Sequence, residues 1–339
     1  MKRVLVTGAS GFVGANLARR ALADGHEVHL LVRKSHAPWR VRGIAADVRL
    51  HEADLHDGAA VDRTVSAIRP EWVFHLAAHG AYPTQTDVAE MVQTNVMGCV
   101  HLLDACARAG VEAFVQAGSS SEYGPKGHPA EESEALEPGS HYAITKAAAT
   151  HHCAFTARSR DLHAVTARLY SVYGPYEEPT RLVPTLALHA LERRLPPLAS
   201  PRTARDFVHV DDAVAALLAL AARTDLPRGS VYNVCTGVQL RLAELVAAVR
   251  SLLGIDAEPQ WASMPSRAWD TDVWVGSRAA IERDTDWRPR FDFMAGFRAT
   301  LDWLESNPSL CSFYADRILG AAPRQRPSHP VAPGPQRTP

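Results

Sequence analysis

Val4-Leu5-Val6-Thr7-Gly8-Ala9-Ser10-Gly11-Phe12-Val13-Gly14 is the stretch that decides how this chain folds. Three β-favouring apolar residues run into three glycines spaced three apart, and Ala15 to Leu22 continues as a good helix former. Strand, tight turn and helix are predicted in that order. Gly8 permits the turn, Gly11 lets a pyrophosphate approach the backbone with no Cβ in the way, and Gly14 lets the helix pack closely on its strand. The helix then points free N–H groups and the positive end of its dipole at the phosphates. The spacing differs from Gly-x-Gly-x-x-Gly, so it is the placement between a strand and a helix that reads as dinucleotide binding. Gly8, Ser10, Gly11, Phe12, Val13 and Gly14 are its expected cofactor contacts.

Working outward, Glu27 to Val32 reads as a second strand. Where NAD-binding chains carry an acidic residue for the ribose 2′-hydroxyl, this one has Val32 followed by Arg33 and Lys34. Two cations and no carboxylate suit a 2′-phosphate, so NADP(H) is favoured, with NAD(H) as the alternative. A third strand within 47–57 ends at Asp54-Leu55, where Asp54 either meets the adenine amino group or caps the next element. Trp72-Val73-Phe74-His75-Leu76-Ala77-Ala78 is a nearly unbroken apolar strand, which implies burial on both faces of a parallel sheet. His75 reads as a core histidine, and Leu76, Ala77 and Ala78 leave room for a cofactor. A helix is predicted over 94–110 and a fifth strand from Ala113 to Gly118. This alternation is an α/β fold with a doubly wound parallel sheet, whose ligands sit at the carboxyl ends of the strands.

The fifth strand ends in Ser119-Ser120-Ser121-Glu122-Tyr123-Gly124, and Tyr142 and Lys146 follow, four apart on a helix starting near His141. That spacing puts phenol and ammonium on one helical face. A phenol is a poor base at neutral pH unless nearby positive charge favours phenolate. Of 36 basic residues only Lys2, Lys34, Lys126 and Lys146 are lysine, so a lysine here points to a task that a guanidinium cannot do, such as joining a proton relay. Ser119 would hydrogen-bond the same substrate oxygen as Tyr142 while hydride moves at the carbon. Ser119, Tyr142 and Lys146 are the candidate catalytic residues.

These motifs resemble those of the extended short-chain dehydrogenases/reductases, the nucleotide-sugar epimerase, dehydratase and reductase group, over residues 1 to about 305. Carrying the resemblance are the glycine turn, Asp54-Leu55, His75-Leu76-Ala77-Ala78, Thr94-Asn95-Val96-Met97-Gly98, Ser119, Tyr142, Lys146, Arg168 to Pro175, Arg205 to Asp212 and Tyr232 to Gly237. It implies a Rossmann domain over 1–174 and 209–236 and a smaller mixed α/β substrate lobe over 175–208 and 237–318. It also adds Asn95 to the cofactor set. Substrate contacts are expected from Ser120, Ser121, Tyr170, Ser171, Arg205, Arg267 and His79, with Tyr82, Arg181 and Pro184 near the sugar. Arg205 and Arg267 match arginines that grip the diphosphate. Ser171 stands where the family usually has asparagine. Helices 94–108 and 141–158 are apolar over more than one face, which in this family implies a homodimer through a four-helix contact.

Within the group, a 4,6-dehydratase carries an acidic pair directly after the catalytic Ser or Thr, and those places hold Ser120 and Ser121. If strand geometry persists, Glu122 points away from Ser121, so dehydration is disfavoured. A 3,5-epimerase-reductase would want cysteine at Ser121. Two readings remain: a 4-ketoreductase consuming NADPH on a nucleotide-activated 4-keto-6-deoxy sugar, or a 4-epimerase with retained NAD. Gly118 to Gly124 is similar to the reductases making GDP-6-deoxy-hexoses, and the former is preferred. The rival outside enzymes, a non-catalytic NADP-binding sensor, can dispense with tyrosine or lysine; both are present.

The 339 residues are 46% hydrophobic with a formal net charge of −1, which gives no general attraction to nucleic acid or to an anionic membrane. No apolar run approaches a membrane span, and glycines interrupt the N-terminal apolar stretch that could pass for a signal peptide, so the cytoplasm is the expected location. Five scattered cysteines lack a Cys-x-x-Cys pair and read as reduced, mostly buried thiols. His151-His152-Cys153 diverges around its helix and cannot converge on one ion, so no metal is expected. Residues 319–339, rich in Pro, Arg and Gln, read as a disordered tail.

Overall fold

The computed structural model describes residues 1–263 and 271–320. Seven strands form one parallel sheet. In chain order, the first half runs β1 (Arg3–Thr7), α1 (Phe12–Ala23), β2 (Glu27–Val32), β3 (Arg49–Glu52), α2 (Gly58–Ile68) and β4 (Trp72–His75). Then come α3 (Val88–Met91), a π-helical stretch over Val92–Met97, α4 (Gly98–Ala109), β5 (Ala113–Ser119), α5 (His141–Ser159) and β6 (Ala164–Leu169). After β7 (Ser171–Tyr173), α6 (Leu182–Leu191), β8 (Ala204–His209) and α7 (Val210–Ala222), the chain returns through β9 (Val231–Val234) to the far edge. The order is β3-β2-β1-β4-β5-β6-β9. The strand order reverses between β1 and β4, which opens the ligand crevice beyond their carboxyl ends.

The apolar strands behave as their composition requires. Val4, Leu5, Val6, Val73, Phe74, Phe114 and Val115 are fully buried, packed by helices on both faces. His75 is buried with them, its Nδ1 2.7 Å from Thr7 Oγ1, and burial pushes its imidazole down to about 3. A second sheet, β10-β8-β7, pairs β8 antiparallel with β10 (Gln239–Arg241) and parallel with β7. Around it pack α8 (Leu242–Leu253), α10 (Phe293–Ser306) and α11 (Pro308–Leu319), with a core of its own built on Leu186, Leu245, Phe297 and Tyr314, while α9 (Ala279–Thr285) returns to pack on β9 of the large sheet.

Four boundaries differ from the sequence reading. The third strand ends at Glu52, ahead of Asp54-Leu55, which follow it as loop. The fourth strand stops at His75 and leaves Leu76 to Ala78 as the loop over the glycine turn. The helix expected from Thr94 begins at Val88, because the Asp87 carboxylate caps it by accepting the Glu90 N–H. The fifth strand gives way after Ser119 to a 3-10 turn over Ser120–Tyr123, so the alternation assumed for Glu122 does not continue. Helix α11 reaches Leu319, and residues 321–339 of the expected tail lie outside the described residues.

Candidate active site

The glycine turn is built for close approach. A Cβ on Gly14 would lie 2.4 Å from the Gly8 carbonyl oxygen, and one on Gly8, whose φ is +67°, would lie 2.5 Å from the Ala77 nitrogen. Gly11 begins α1 with no side-chain cap, in contrast to the aspartate-capped α2, so the first N–H groups face the crevice free of side-chain partners. Phe12 and Val13 pack half-buried against the core, and the Ser10 carbonyl accepts from Arg40 Nη1. At the end of β2, Arg33, Lys34 and Asp54 share with Ser35, Glu52 and Ala53 a pocket of about 420 Å³. Arg33 also pairs at 3.1 Å with Glu90, an exposed contact that yields at little cost. Asp54 accepts the His56 N–H, and Leu55 is buried against Gly98. Glycine cradle, open helix start and a pocket offering two cations and two carboxylates fit a dinucleotide.

Around the reacting end, Tyr142 on α5 hydrogen-bonds Ser119 at the end of β5. Burial pushes the Tyr142 phenol up to about 12, against the Ser119 bond and Arg181, which pull it down. Lys146 is 4% exposed and gives its ammonium to the Ala117 carbonyl at 2.5 Å, and burial lowers its pKa. Ser121 Oγ lies 2.5 Å from Ser119 Oγ. Ser120 Oγ accepts from Trp274 Nε1, and the Arg205 guanidinium carbon sits 5.6 Å from the Trp274 ring centre, so these three line one wall. Tyr82 and Arg181 are both within electrostatic reach of Tyr142.

Other expected contacts have different tasks. Asn95, 2% exposed, spends its amide on both backbone groups of His79 and on Thr145 Oγ1, bracing the loop after β4 against α5. Tyr170 is buried with its ring against Gly276, and Pro184 is buried in α6. Ser171, half-buried, begins β7. Arg267 lies outside the described residues. Among the described residues there is no group of three metal-ligating side chains, and no helix is long and apolar enough to cross a membrane.

Sequence reasoning missed Arg40, whose buried guanidinium ties the Ser10 carbonyl to the Tyr176 carbonyl and the Glu178 carboxylate. It also missed Trp274. Neither belongs to a local pattern. Glu177, almost fully buried with Oε2 unpartnered among the described residues, escaped notice because a Glu-Glu-Pro loop reads as solvated.

A glycine cradle beneath a Ser, Tyr and Lys constellation defines an NAD(P)-dependent short-chain dehydrogenase/reductase. The chain belongs to the NAD dependent epimerase/dehydratase family, whose description matches residues 4–235. The dTDP-glucose 4,6-dehydratase of Streptomyces griseus is 30% identical over 325 residues, spanning 90% of this chain and 95% of that protein. The UDP-glucose 4-epimerase of Mycolicibacterium smegmatis is also 30% identical, over 314 residues, 90% of this chain and 99% of that protein. The solved structure of Thermus thermophilus UDP-glucose 4-epimerase in complex with NAD superposes with a TM-score of 0.76 at 32% identity, covering 88% of this chain and 98% of that one.

Proposed function

We propose that the protein is an NADPH-dependent 4-ketoreductase of a nucleotide-activated 4-keto-6-deoxy sugar. When bound, the nicotinamide supplies the hydride. Tyr142 donates the proton to the C4 oxygen, Ser119 holds that oxygen, and Lys146 supports the phenol from one turn along α5. Residues 1–174 and 209–236 would carry the cofactor, and 175–208 and 237–318 the nucleotide sugar, with Arg205 on the diphosphate.

The observation supporting reduction is the end of β2, where Arg33 and Lys34 follow directly on the strand and line, with Glu52 and Asp54 across from them on the segment after β3, the pocket that a 2′-phosphate would enter. Dehydration is disfavoured because Ser120 and Ser121 supply only hydroxyls, and Glu122, the one carboxylate of the turn, is consumed by Arg168. A second reading, a 4-epimerase with retained NAD, is supported by the UDP-glucose 4-epimerases among the relatives. Stoichiometric loss of NADPH absorbance with a nucleotide 4-keto-6-deoxyhexose is the expected result. Interconversion of C4 epimers without net cofactor turnover would replace the first reading by the second.

The same reading includes a homodimer. Val88, Val92, Ile144 and Phe155 are 40%, 41%, 51% and 66% exposed on α3, the π-helical stretch after it and α5, which pack together, an apolar face that a second copy would cover. Light scattering should give a dimeric mass, and a monomeric mass at micromolar concentration refutes it.

A further inference from the structure

Beneath the turn that carries Ser119 lies an enclosed ion pair. Glu122 is 0% exposed and Arg168 3%, and Arg168 Nε donates to Glu122 Oε2 at 2.8 Å. The other carboxylate oxygen, Oε1, accepts the backbone N–H of Ser119, also at 2.8 Å. The Arg168 guanidinium carbon stands 4.5 Å from the centre of the Tyr123 ring, and its Nη1 has no partner among the described residues. Gly118 admits the arrangement: a Cβ there would come 2.7 Å from Thr166 Cγ2 and 2.8 Å from Glu122 Oε1. A buried pair of this kind is weak support for stability, since well-packed apolar residues often serve as well or better. What distinguishes its position is the reacting end directly above.

We propose that Glu122 is a positioning residue, with Arg168 as its counter-ion. The carboxylate fixes the main chain of Ser119, and the pair together sets the charge that Tyr142 and Lys146 meet from below. This rests on reading Ser119 and Tyr142 as the reacting-end residues. The groups facing Tyr142 are Ser119 and Glu122 from the turn, Arg181 ahead of α6 and Tyr82 after β4, with Lys146 one turn along α5. Glu122 opposes phenolate at Tyr142 and favours the ammonium at Lys146, while Arg168 offsets that charge. Burial and then Glu122 thus hold the proton donor protonated between turnovers, with Arg168 limiting the second effect.

The test titrates Tyr142 directly by tyrosine-ring carbon NMR, with Tyr142→Phe identifying its signal, so no substrate is needed. Glu122→Gln keeps an oxygen for the Ser119 N–H and removes the charge, and Arg168→Gln removes the cation. Glu122→Gln should lower the Tyr142 midpoint, Arg168→Gln should not, and the double variant should return towards the wild type. Turnover in Glu122→Ala, which removes the acceptor of the Ser119 N–H, should fall about tenfold or more in kcat with KM little changed, as displacement of a positioned group predicts. A midpoint unmoved in folded Glu122→Gln, or the reverse order of the two variants, overturns the proposal. Where single variants do not fold, the Glu122→Ala/Arg168→Ala double variant, which also removes the acceptor of the Ser119 N–H, decides: wild-type kcat in it overturns the proposal. Full turnover in Tyr142→Phe would instead overturn the catalytic role read for Tyr142 and leave the titration shifts standing.

Discussion

Lys146 Nζ donates to the carbonyl oxygen of Ala117 at 2.5 Å, and so moors the helix of Tyr142 to the strand of Ser119. The two sides of the candidate site, 23 residues apart in sequence, are held in register by one side chain. Lysine therefore does mechanical work here as well as electrostatic work.

Tyr142→Phe should keep the fold and lose roughly a hundredfold to ten-thousandfold in kcat, the range for removing a positioned proton donor. Lys146→Arg should not rescue the loss seen in Lys146→Met, because the 4% exposed pocket holds a compact ammonium and a guanidinium is planar and wider. Steady-state kinetics with circular dichroism as the fold control decides both. A Tyr142→Phe protein with full biological function and no turnover would favour the sensor.

Gly14→Ala places a methyl carbon 2.4 Å from the Gly8 carbonyl oxygen and 2.9 Å from Ala9 Cα, both backbone atoms that cannot step aside. Thermal unfolding should show a loss of about 1–3 kcal/mol, the usual cost of overpacking. Cofactor binding should weaken with it, since the same carbonyl fixes the turn.

Much of this was legible from spacing alone. Gly8, Gly11 and Gly14 between strand and helix, and Tyr142 four residues before Lys146, encode their geometry locally, and β2 falls at Glu27–Val32 as read. Contacts that bridge distant segments were not legible. Arg40 reaches Tyr176 across 136 residues, and Trp274 reaches Ser120 across 154, and no short-range pattern specifies either partner. The early start of α3 was available in principle, because Asp87 followed three residues later by Glu90 is an N-terminal signature.

Glu177 gives a pH dependence of definite sign. Burial pushes its carboxyl up to about 8 from 4.5, so between those values the folded state holds a proton that the unfolded chain has released. Its contribution to stability is complete below 4.5 and declines as pH rises towards 8, at up to about 1.4 kcal/mol per pH unit. Glu177→Gln should remove that decline, and urea melts at several pH values compare the two slopes. Parallel slopes would refute it. His75 works in the other direction, because its neutral fold form costs stability as pH falls from 6.5 towards 3.

Replacing Arg33 and Lys34 together by alanine should weaken NADPH at least about tenfold, the loss of one or more charge-assisted contacts, and leave NADH affinity within twofold or so. Fluorescence titration of each cofactor reads the ratio. Equal weakening of both would mean that these cations serve the fold or the shared phosphates.

The π-helical stretch over Val92–Met97 carries one residue more per turn than its flanks, and that surplus aims Asn95 at His79 and Thr145. Deleting any single position in it would let the helix rewind, turning Asn95 by about 100° and freeing the loop it braces. Chain length in this segment is thus a more heavily guarded property than the identity of its exposed residues, and a gap of one here would mark a relative whose pocket floor has been rebuilt.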